Sequence, residues 1–108
     1  MEPPVDLVER AGSGPIWSLA GGDLNATLLA WPPGERLPEH VNAELDVLLV
    51  VIEGDGTAVV DGERHGLAAG HALLIEKGTS RSIQAGRQGL RYLSIHRRRG
   101  PLQIEGAG

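Results

Sequence analysis

The sequence predicts an all-β protein built from short antiparallel strands. Three observations lead there. The 108 residues include 16 glycines and 7 prolines, many for a helical chain and ordinary for strands joined by tight turns. Turn signals recur about every 8 to 12 residues, the spacing of a β-sandwich or barrel. Between them lie short β-prone runs, with no long stretch at helical period.

The elements follow in order. Residues 1–14 read as an extended arm, with at most a turn near residues 5–10. Gly21-Gly22-Asp23 and Pro32-Pro33-Gly34 mark the first turns. Val47 to Ile52 is apolar at every position, so both faces of that strand require cover. One face would line the interior; the other needs a second sheet or a partner chain. Gly54-Asp55-Gly56 reads as the next turn. Thr57 to His65 is the clearest hairpin, because Asp61-Gly62 suits a tight primed turn. Ala69-Gly70, Lys77-Gly78, Gly86 and Gly89 continue the punctuation. In the last strand Leu90, Tyr92, Ser94 and His96 share one face, and Arg91, Leu93 and Ile95 the other. Residues 101–108 read as a second arm. The whole is expected to form one domain over 1–108, with its core at about 16–105.

Composition removes several function classes. A net charge of −4 gives no nucleic-acid surface, and Arg97-Arg98-Arg99 reads as a solvated strand end. Cysteine is absent, which excludes disulfides and thiolate metal sites. No apolar run approaches ~20 residues, so no membrane partner is expected. Met1-Glu2-Pro3-Pro4 lacks the basic and apolar regions of a secretion signal, which points to the cytoplasm. Trp17, Trp31 and Tyr92 are the only aromatic residues, so Leu, Val, Ile and Ala must build the core. So small a core favours a homodimer.

Two segments carry a more specific pattern. Gly34 is followed by five residues and then His40-Val41-Asn42, with Gly54 further on. Gly70 is followed by five residues, Glu76, Lys77, Gly78, two residues and Arg81. Over roughly residues 24–96 this layout resembles the two signature motifs of the cupin superfamily. The resemblance implies an antiparallel cupin-type β-barrel, a double-stranded β-helix or jelly roll. It also implies a metal shell of three histidines and one glutamate on facing strands. Carried over residue by residue, His40 is retained, Asn42 stands for the second histidine and Arg81 for the third. Glu76 replaces a proline and Ala85 an asparagine. The acid falls on Asp46 when counted forward from Asn42, or on Val47 when counted back from Gly54. Neighbouring strand residues face opposite ways, so only one of the two can look inward.

Arg81 changes the chemistry. A guanidinium has no lone pair for a cation and stays charged at working pH. Beside His40 it would repel a metal and favour an anion or an internal acid, Asp46 or Glu44. The candidate barrel pocket is therefore His40, Asn42, Asp46, Arg81 and His96. For each a plainer role stands beside this one: a hydrogen-bonded strand histidine, a turn-capping amide, an outward carboxylate that needs a partner beside a buried sheet face, a surface arginine and a rim imidazole. His65 and His71 read as surface residues, Tyr92 and Trp31 as core or wall.

The leading expectation is a barrel that binds a small polar or anionic molecule, with no metal or other cofactor. One alternative is a metal-dependent oxygenase or isomerase with a reduced shell, His40 and Asp46 with His96. Others are a metal-free isomerase or lyase with His40 as base, and a structural dimer with an empty pocket.

Overall fold

The computed structural model describes residues 3–98. Among them are seven strands and no helix: β1 (Gly14–Ala20), β2 (Leu24–Trp31), β3 (Arg36–Val41), β4 (Val47–Val60), β5 (Glu63–Ala68), β6 (Ala72–Ile75) and β7 (Ser80–Arg97). Every pairing is antiparallel. No helix of the described residues is long and apolar enough to cross a membrane. The expected arm at 101–108 lies outside the described residues.

The two longest strands form the spine. β4 and β7 pair with each other along both of their halves. The first half of β4 also pairs with β6 and the second with β5. The first half of β7 also pairs with β3 and the second with β2, which β1 extends. The result is a jelly-roll barrel whose two faces share one core. Val47, Leu49, Val51, Leu90 and Tyr92 come from one half of the spine and Ala58, Ile83 and Ala85 from the other.

The change of face sits where the register of β4 shifts, between Val51 and Glu53 and between Gly54 and Gly56. This corrects one expectation. Gly54-Asp55-Gly56 does not end a strand; it is a bulged bend inside β4. Only glycine fits there. Gly54 has φ 87°, and a Cβ on it would lie 2.2 Å from the Gly89 carbonyl oxygen. The Asp55 carboxylate fastens the bend by accepting from the Gln88 N–H at 3.0 Å. The Asp61-Gly62 turn forms as the sequence indicates, with φ 49° and 83°, and joins Val60 to Glu63.

Alternation along β4 decides which residues face the interior. Val47, Leu49 and Val51 are buried, whereas Leu48 is 37% exposed. On the outer face, cross-strand partners form a continuous apolar row: Leu74, Leu48, Ile95, Ala26 and Leu19. A second row, Ala72, Val50, Leu93, Leu28 and Trp17, runs beside it. The N-terminal segment is fastened to this outer face. Arg91 donates to the Leu7 carbonyl at 3.0 Å, and the Arg10 guanidinium stands 5.7 Å from the centre of the Trp17 ring. The expected turn is present there, held by the Asp6 carboxylate, which accepts from the Val8 and Glu9 N–H groups.

Candidate functional site

The inner face of the barrel opens into a cavity of about 350 Å³. β3 and β7 supply its polar end. His40 and Arg81 are direct partners in the β3–β7 ladder, so both side chains leave the sheet on the same side, and both line the cavity. Leu29 of β2, Leu37 and Pro38 of β3, Leu49 of β4 and Ile83 of β7 make an apolar wall. Ser82, beside Arg81, and Tyr92 and Ser94, from the far half of β7, complete the lining.

The other three expected pocket residues lie elsewhere, each for a definite reason. Asn42 stands beyond the end of β3, and its side-chain oxygen accepts from the Glu44 and Leu45 N–H groups at 3.0 and 3.1 Å. Its amide closes a turn. Asp46 sits between buried Leu45 and buried Val47, so strand alternation turns it outward. There it accepts from the Lys77 N–H at 2.9 Å and borders a surface hollow with Glu44 and Arg97. Val47, 2% exposed, takes the inward position. His96 is the ladder partner of Val47, two rungs beyond Ser94 and outside the cavity lining. Its Nδ1 is 2.9 Å from the Arg97 carbonyl oxygen. The reduced shell of His40, Asp46 and His96 is therefore not assembled.

Tyr92 contributes more than the wall assigned to it from the sequence. Its hydroxyl oxygen accepts from the Trp31 indole N–H at 3.2 Å, which uses acceptor capacity and leaves the phenol proton for another partner. The signal for its position was the alternation with Leu90 and Ser94. Burial pushes the Tyr92 hydroxyl above the usual tyrosine range; the Trp31 bond and the Arg81 charge pull the other way. Burial draws Arg81 below the usual arginine value, and the nearby Tyr92 oxygen opposes that. Near neutral pH the pair is a guanidinium cation beside a neutral phenol.

No described carboxylate meets that cation. The ion pairs among the described residues are His65 with Glu63 at 3.7 Å and Arg91 with Glu53 at 3.6 Å. Glu39, next to His40 on β3, faces the other way and accepts from the Ser80 hydroxyl. A larger hollow of about 430 Å³ lies at Pro32, Pro33, Gln88 and Gly89. Its charged groups, Glu53 and Arg91, already face each other, so it offers no comparable unpaired charge.

Comparison with known proteins agrees with this architecture. The Cupin domain family matches residues 27–96. The protein belongs to that family. Its fold is similar to that of KdgF from Halomonas sp., with a TM-score of 0.72 at 21% identity over 78% of each chain. A protein from Bacillus halodurans gives 0.69 at 27% identity, over 78% of this chain and 70% of its own. A cupin protein from Bacteroides fragilis gives 0.72 at 23% identity, over 94% of this chain and 86% of its own. No curated protein matches the chain.

The residues present do not fit the metal that the cupin motifs imply. Among the described residues no three of His, Cys, Asp or Glu are grouped to hold an ion. At the four motif positions stand one imidazole, an amide spent on a turn, a valine and a guanidinium. A cation there would meet one donor and a fixed positive charge.

Proposed function

We propose that this protein is a binding module that holds a small anionic molecule in the barrel without a tightly bound metal. One observation carries the reading: the Arg81 guanidinium lines the cavity, half-buried, with no carboxylate within ion-pair distance among the described residues. A desolvated guanidinium gains most from an oxyanion held by parallel hydrogen bonds. The cavity volume falls within the range of about 300–1,000 Å³ typical of small-molecule sites. The test is thermal unfolding across a panel of small anions. The wild type should be stabilised by at least one of them, and Arg81→Ala should lose that stabilisation while keeping a strand-dominated circular dichroism spectrum. Elemental analysis after chelator treatment should find far less than one metal per chain; a stoichiometric metal would overturn the metal-free part.

The same reading includes a homodimer formed through the outermost apolar row, since the second row is covered at Leu28, which is fully buried, and at Trp17 by Arg10. The row Leu74, Leu48, Ile95, Ala26 and Leu19 crosses five strands without a charge. Leu74 is 56% exposed on it. A charged partner surface finds no counterpart along this row, whereas a second copy related by a two-fold axis lays the same apolar side chains against it. Sedimentation at micromolar concentration should show a dimer that Leu48→Lys converts to monomer. A monomeric wild type would overturn the pairing.

A further inference from the structure

The cavity wall also narrows the class of anion, an inference that rests on the binding reading above. Among the lining residues Arg81 is the one permanent cation, with His40, Ser82, Tyr92 and Ser94 as the neutral polar groups and hydrocarbon for the rest. Leu37, Leu49, Ile83 and Leu29 surround the space that it shares with His40. Leu49 is 3% exposed and Ile83 6%, with Leu29 and Leu37 half-buried, so the wall beside the charge offers hydrocarbon and no second cation. A second negative charge on the ligand would be pressed into that wall with no cation to meet it. A ligand with no apolar part would leave the wall unfilled.

We infer that the barrel takes a monocarboxylate with an apolar body, its carboxylate held by the Arg81 guanidinium and the Tyr92 hydroxyl and its body laid against Leu29, Leu37, Leu49 and Ile83. The Tyr92 oxygen already accepts from the Trp31 indole, which fixes the hydroxyl rotor. The phenol proton has no acceptor among the described residues, and a carboxylate oxygen supplies one. Burial keeps that proton on the phenol well past neutral pH, and the Arg81 charge is felt at Tyr92 across the cavity. Arg81 and Tyr92 line the same cavity, so one bound carboxylate there is offered both donors. A tetrahedral dianion such as phosphate would satisfy the donors and strand its remaining charge.

The experiment is calorimetric titration of the full chain with acetate, butyrate, hexanoate, succinate, inorganic phosphate and 1-hexanol as probes. Affinity should rise about fourfold per methylene from acetate to hexanoate, the ratio expected for burying each CH₂. Succinate, phosphate and hexanol should each bind at least about tenfold more weakly than hexanoate. Arg81→Gln should bring hexanoate down to the level of hexanol. Arg81→Lys, which keeps the charge and loses the fork, should fall between, and so guards against loss through misfolding. Tyr92→Phe should weaken hexanoate about fivefold and leave hexanol unchanged. A flat response to chain length, or phosphate or succinate binding as tightly as hexanoate, would overturn the monocarboxylate class and leave the anion reading standing if Arg81→Gln still abolished binding. Binding by no anion at all, or binding indifferent to Arg81→Gln, would overturn the anion reading itself.

Discussion

Replacing Arg81 by methionine should raise the stability of the unliganded protein and lower that of the liganded one. Methionine keeps an unbranched apolar stem of similar reach, so contacts along the cavity wall survive while the charge goes. In the absence of an anion the wild type holds a half-buried guanidinium with no described carboxylate near it. Full burial of a lone charge would cost several kcal/mol; partial exposure reduces this to about 1 kcal/mol. For a domain of this size that is roughly 4 °C in Tm. With a bound anion the order reverses. A ligand at one hundred times its Kd stabilises the wild type by about 2.7 kcal/mol, and the methionine variant gains close to nothing. Differential scanning calorimetry in a buffer free of carboxylate and phosphate, then with a saturating anion, reads both halves. If the variant unfolds at a lower temperature than the wild type without ligand, Arg81 has a stabilising partner inside the protein. The cation would then be structural, its charge already met within the fold and not available to a ligand.

The turn at Asn42, the bend at Gly54 and the buried phenol each give a further test. Asn42→Ala should cost about 1 kcal/mol through the lost turn bonds to Glu44 and Leu45 and leave anion binding unchanged; weakened binding would put Asn42 back in the pocket. Gly54→Ala should cost more than about 3 kcal/mol, because its Cβ would collide with the Gly89 carbonyl oxygen. Gly34→Ala, with φ 79° and open space around it, should cost only about 1 kcal/mol, and equal costs in denaturant titrations would argue against the close crossing of β4 and β7. Tyr92, whose folded pKa is raised, contributes stability that is complete below about pH 10 and is lost as pH rises through the folded value. Tyr92→Phe should remove that alkaline loss; an unchanged alkaline profile would show that the phenol is not held neutral by burial.

The glycines made the barrel legible. Gly34, Gly62, Gly70 and Gly78 all adopt positive φ at strand junctions, where only a residue without a Cβ is unstrained. Gly54 does as well, but inside a strand. Sequence alone cannot separate a turn from a bulge there, since both need the same backbone freedom. The partner that decides it, Gly89, is remote in the chain and meets Gly54 only after folding. The pocket was legible at His40 and Arg81, because the spacing from two glycines fixes their place in facing strands. It was illegible at Asp46. The run from Val47 to Ile52 is apolar at every residue, so it erases the alternation that would reveal which parity faces inward. Buried Leu45 and Val47 settle the parity, and Asp46 follows from them. His96 shares a face of β7 with Tyr92 and Ser94, yet it stands two rungs past Ser94 and outside the cavity lining.

The bond from Trp31 to Tyr92 gives the protein an optical reporter of its own. The Trp31 indole donates to a phenol that lines the cavity, so whatever polarises or displaces that phenol alters the surroundings of the chromophore directly. Trp17 lies on the outer face beneath Arg10 and is remote from these events. Intrinsic emission therefore separates into a steady component and a responsive one. Occupancy of the barrel becomes readable from unlabelled protein, with Trp31→Phe as the variant that silences the signal.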